Sequence, residues 1–118
     1  MGFVYNAKHA VYLEVARVEA LRHLGVSYKE LEDSGILLPV HTLNFTFLKP
    51  ACYDDLIEIK TIVPIMPAVK ILFEYELRNQ HGELLNTAKT TLAFIYKNTR
   101  RPCKGPKEVL EKFIPYFA

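Results

Sequence analysis

The chain has 118 residues, 50% hydrophobic and 24% charged, with a formal net charge of +2. That length is one domain with room for a real core, and so small a net charge does not point to nucleic acid. No apolar run reaches the ~18–20 residues of a membrane span, no charged-then-apolar leader is expected, and two distant cysteines, Cys52 and Cys103, suit free thiols in a reducing cytoplasm.

Met1–Asn6 are mostly apolar, with Gly2 inside. A strong helix then starts around Ala7–His9, runs to Leu24 and is stopped by Gly25. At 100° per residue, Lys8, His9, Glu19, Arg22 and His23 gather on one arc. Ala10, Leu13, Val18, Ala20, Leu21 and Leu24 lie opposite, and Tyr12, Val15 and Ala16 carry apolar surface onto the polar side. Such a helix needs partners on several sides. Glu14 and Arg17 fall inside the apolar arc, three residues apart. The spacing favours a partly buried i,i+3 ion pair over a carboxylate held toward a site.

Val26–Asp33 predicts one or two helical turns, with Ser27 as N-cap and Glu30 completing the capping-box pattern. Four strand candidates follow. Ile36–Lys49 is long, with Pro39 marking a bulge or an edge. Leu56–Val63 puts Ile57, Ile59, Thr61 and Val63 on one face. Val69–Arg78 alternates Val69, Ile71, Phe73, Tyr75 and Leu77 against polar positions, Leu72 excepted. Asn79–Gly82 is a tight hairpin turn. Leu84–Tyr96 is the last strand, with Leu92, Phe94 and Tyr96 in phase. Lys107–Phe113 closes the chain as a short helix. Long strands with one greasy face need a cover, and only the first helix is large enough. The expected class is α+β, a curved antiparallel sheet around one long central helix.

Charge is unevenly placed. Lys97, Arg100, Arg101, Lys104 and Lys107 fall between residues 97 and 107 with no acid among them. A local basic cluster on a nearly neutral chain suits a small phosphate-bearing ligand or is a solvated loop. Phosphate loops, nucleophile elbows, metal-ligand spacing and dinucleotide fingerprints are absent. His23 and His81 read as surface residues, and Asp54-Asp55 as polar turn residues. What remains is the helix start, where free N–H groups and the positive dipole end can polarise the carbonyl of an ester or thioester, provided that a carboxylate or another base delivers water or attacks directly.

The run G-F-V-Y-N-A-K-H-A-V-Y-L-E-V-A-R-V-E-A-L-R-H-L-G closely resembles the signature of the hotdog-fold acyl-CoA thioesterases of the 4-hydroxybenzoyl-CoA thioesterase type. Gly2, Tyr5, Glu14, Arg17 and Gly25 match in register. The likeness continues through F-L-K-P-A-C-Y-D-D-L-I-E-I-K-T, the Thr90-Thr91 strand and the T-R-R-P segment, so it covers essentially the whole chain as one hotdog domain, 1–118.

This resemblance implies a cytoplasmic homodimer or homotetramer that hydrolyses a fatty or aromatic acyl-CoA to free acid and coenzyme A. Coenzyme A is then part of the substrate and no cofactor is needed; neither a nucleic acid nor a membrane span is involved. The Asn6 amide and its neighbour Tyr5 would polarise the carbonyl, with Glu14 as a reserve carboxylate. Lys70, Lys97, Arg100 and Arg101 would meet the nucleotide phosphates. Two departures stand out. The family's catalytic Asp lies three residues before the glycine matched by Gly2, which places it, with the first strand, ahead of Met1. The family's His after the Tyr is Asn6 here, and His9, one turn on, is its nearest imidazole substitute. The alternatives are a non-catalytic acyl-thioester-binding hotdog, a hydrolase acting on acyl carrier protein and, last, a hydratase or dehydratase, which needs an Asp–His pair.

Overall fold

The computed structural model describes residues 6–49 and 54–117, and residues 6–10 by their backbone only. In chain order the elements are α1 (Asn6–His23), α2 (Tyr28–Asp33), β1 (Ile36–Leu37), β2 (Val40–Phe47), β3 (Glu58–Ile62), β4 (Lys70–Arg78), β5 (Leu84–Ala93), β6 (Ile95–Tyr96), α3 (Lys107–Phe113) and a 3-10 turn, Ile114–Tyr116. Four strands form an antiparallel sheet in the order β2-β5-β4-β3, and β1 pairs with β6 beside it. No described helix is long and apolar enough to cross a membrane.

The end of α1 follows from Gly25. Its φ of 86° lets the chain turn into the left-handed region. The Val26 N–H then reaches the Leu21 carbonyl at 2.8 Å, and the Gly25 N–H reaches that of Arg22 at 2.9 Å. Together these satisfy carbonyls that a helix end leaves open. Ser27 caps α2, its hydroxyl accepting from the Glu30 N–H at 3.3 Å.

The alternation in β4 carries the core. Ile71, Phe73, Tyr75 and Leu77 are buried while Lys70 and Glu74 are not. They share one cluster with Leu13 and Leu21 of α1, with Ala88 and Leu92 of β5, and with Val109 and Phe113 of α3. Full burial of each leucine contributes about 2 kcal/mol. Ile57, Ile59 and Val63 pack partly buried against the same cluster.

Two expected strands divide. Ile36–Lys49 becomes β1 and β2, broken before Val40, and a register shift between Val40 and Thr42 makes His41 the bulged residue. Pro39 explains the break, because it has no N–H to give a ladder. Leu84–Tyr96 becomes β5 and β6. Leu92 and Phe94 are buried as expected, but Tyr96 is 50% exposed. Its phase is lost because the chain leaves the main sheet after Ala93 and pairs with β1 instead.

Candidate active site

No acidic residue stands in the first turn of α1. Its leading N–H groups have no acceptor within the helix and carry the positive dipole end. Such a turn can bind a developing oxyanion, and Asn6 is its first residue. Gly2 and Tyr5 lie outside the described residues, as do the side chains of Asn6 and His9.

Glu14 stands eight residues on, about 12 Å along the axis from Asn6. The expected Glu14–Arg17 pair does not form. Glu14 is exposed, whereas Arg17 turns inward and is 8% exposed. The described residues include every Asp and Glu of the chain, and Arg17 enters none of their ion pairs. Its guanidinium interacts with the Tyr28 and Tyr75 hydroxyls, and its Nε has no partner. Tyr75 also shares a 2.9 Å hydrogen bond with the Thr90 hydroxyl. Burial raises the pKa of both tyrosines, against the opposing pull of the Arg17 charge at Tyr28 and of the Thr90 and Arg17 hydrogen bonds at Tyr75. Both phenols are therefore neutral at pH 7. Glu14, Arg17, Tyr28, Leu38, Val40 and Leu92 line a cavity of about 390 Å³.

The basic residues form a separate group. Lys70 opens β4 opposite Ala93. The chain after β5 runs past it, with the Phe94 N–H on the Val69 carbonyl at 3.1 Å and the Gly105 N–H on that of Ala68 at 2.8 Å. Between them lies a closed hairpin turn rather than a loose loop. The Tyr96 N–H donates to the Arg101 carbonyl at 2.9 Å, and the Arg100 N–H to the Tyr96 carbonyl at 2.8 Å. Arg100 and Arg101 are exposed there, while Lys97 pairs with Glu32 at 3.4 Å.

This basic group and the start of α1 occupy opposite ends of the sheet. Ala20 and His23, late in α1, border a cavity with Thr61 and Val63 at the end where β4 begins. Tyr12, early in α1, borders another with Asp55, Leu56 and Ile57 at the other end. α1 runs between these two ends, and its 18 residues rise about 27 Å.

The sequence profile of the thioesterase-like superfamily matches residues 1–113. The chain belongs to that family. Haemophilus influenzae acyl-CoA thioesterase YbgC is 32% identical over 113 residues, covering 95% of this chain and 82% of the relative. The crystal structure of DHNA-CoA thioesterase from Staphylococcus aureus is 32% identical with a TM-score of 0.82, over 99% of this chain and 75% of that one. A variant of 4-hydroxybenzoyl-CoA thioesterase, complexed with 4-hydroxybenzoyl-CoA, shares the fold at a TM-score of 0.82 and 19% identity, over 94% and 86% of the two chains. The architecture is the hotdog, an antiparallel sheet around a helix.

In this thioesterase-like chain, sequence reading missed the Arg17–Tyr28–Tyr75–Thr90 cluster. The signal was present. Arg17 fell on the buried arc of α1, and Tyr75 and Thr90 face inward as diagonal neighbours on adjacent antiparallel strands.

Proposed function

We propose that the chain hydrolyses the thioester of a fatty or aromatic acyl-CoA to free acid and coenzyme A, working as a homodimer. Family membership together with a relative named acyl-CoA thioesterase at 32% identity carries the activity. The thioester carbonyl is taken by the free N–H groups at the start of α1, the Asn6 amide and its neighbour Tyr5, and the acyl group lies beside α1 between the copies. Glu14, about 12 Å from Asn6, does not reach a carbonyl held there, so water delivery falls to another carboxylate. Lys70, Arg100 and Arg101 take the nucleotide phosphates, with Lys97 secondary because it already serves Glu32.

The dimer resolves the separation of the two groups. Among the described residues β2 is an edge strand with Val40, Leu43 and Phe47 exposed, a surface that invites pairing. The radius of gyration is 15.5 Å, against about 13.5 Å for a compact chain of this length, as fits a subunit that is half of a larger body. Antiparallel pairing of β2 with its own copy turns one subunit end over end. The basic end of one copy then stands beside the α1 start of the other, and one pantetheine arm spans the two.

Thiol release from short, long and aromatic acyl-CoA tests this reading. Turnover of at least one class is expected, and no release across the whole panel would sink it. Charge reversal at Arg100 and Arg101 is expected to raise KM about tenfold or more with kcat nearly unchanged. An unchanged KM would mean that the basic turn is merely solvated.

A further inference from the structure

Arg17 is a cation that its own subunit does not neutralise. A guanidinium stays protonated at any physiological pH. This one is more than nine-tenths buried, its Nε lacks a partner, and its neighbours are the neutral hydroxyls of Tyr28 and Tyr75. A buried charge without a counter-charge is costly and marks an incomplete arrangement.

Glu14 is the complementary loose end. It lines the same cavity, is exposed, and enters no ion pair among the described residues. Val40 of the edge strand, 44% exposed, lines the same cavity and gives its rim an apolar border. Thr90, bonded to Tyr75, lies opposite Leu43 in the register of β2. The polar cluster is therefore level with the middle of the edge strand. Pairing β2 with its copy over the full length of the strand would put the two-fold axis at that level, where each surface meets its own image.

We infer that Glu14 of the partner subunit closes on Arg17, and reciprocally, so that each copy completes the charged cavity of the other. The inference rests on the homodimer reading above. Self-complementarity supports it: Glu14 and Arg17 share one rim, so a single two-fold contact forms two equivalent pairs. A substrate carboxylate fits less well, because it would have to pass Glu14 to reach Arg17.

The experiment is a dilution series by sedimentation velocity on the full chain, comparing wild type, Glu14→Gln, Glu14→Lys, Arg17→Met and the Glu14→Gln/Arg17→Met double variant. Glu14→Gln is expected to weaken dimerisation on the order of a hundredfold where Arg17 is present, and about twofold or less where it is Met. Glu14→Lys should weaken it further. Position 14 is exposed in the subunit, so its two variants carry the test even if Arg17→Met does not fold. An unchanged dimer in both Glu14 variants overturns the pairing but spares the dimer. An unchanged dimer with a raised KM in Glu14→Gln also overturns it, and assigns the counter-charge to substrate. A wild-type chain that stays monomeric at every concentration overturns the dimer reading itself.

Discussion

Lys112 Nζ donates a 2.6 Å hydrogen bond to the Gly25 carbonyl, tying α3 to the end of α1 across 87 residues of sequence. The ammonium thus sits where the helix leaves carbonyls open and its dipole is negative. Together with the Gly25 turn, it holds the C-terminal end of the core helix against the C-terminal segment.

Lys112→Met is expected to lower stability by about 1 kcal/mol in urea unfolding. Gly25→Ala should cost about 1–2 kcal/mol, because φ is +86° and a Cβ would stand 2.9 Å from Lys112 Nζ. That new methyl displaces the ammonium, so the double variant should lose less than the two single losses combined. Strict additivity would show that the two groups do not act together.

Arg100 holds a φ of 62°, where a side chain is strained and glycine is not. Arg100→Gly should therefore raise stability by roughly 0.5–1 kcal/mol while raising KM for acyl-CoA. A variant with both stability and KM unchanged would remove the case for this turn as a phosphate contact.

The Tyr75–Thr90 bond lies in the core at 2.9 Å. Tyr75→Phe leaves the buried Thr90 hydroxyl short of a partner and should cost about 1–3 kcal/mol. Adding Thr90→Val should recover part of that loss, since it removes the unpaired Thr90 hydroxyl, and only the Arg17 contact with Tyr75 stays lost. Thermal unfolding of the single and double variants measures the difference, and a double variant weaker than the single would contradict it.

Glu83 accepts from Lys49 Nζ at 2.8 Å and from Asn79 Nδ2 at 3.0 Å. The Lys49 hydrogen bond first, then that of Asn79, lowers the Glu83 pKa from its ordinary 4.5. A carboxyl group lowered in the native state stabilises the fold above its unfolded-state pKa and ceases to as pH falls through the native one. Glu83→Gln should therefore be less stable than wild type at pH 7, with the gap shrinking from about pH 4.5 downward. Because the group is exposed, 1 M salt should shrink the gap too. A gap that widens in acid would reverse the assignment.

Much of the fold could be read before any coordinates. The stop of α1 at Gly25, the Ser27 cap, the alternation of β4, the Asn79–Gly82 turn and α3 are local events. Each is encoded in a few neighbouring residues. Tyr96 was misjudged because alternation assumes one continuous sheet, and the chain changes partner after Ala93.

For the site, the sequence by itself determined a helix start with open N–H groups, a basic segment near residue 100 and an arginine on an apolar arc. These are matters of residue type and period. Only the tertiary structure decided that Arg17 goes inward without Glu14, that Tyr28 and Tyr75 receive it, and that the basic turn lies at the opposite end of the sheet from the start of α1. The reason is physical: period states which side of a helix a residue takes, while the distance between groups far apart in sequence is set by how the strands pair and what covers them.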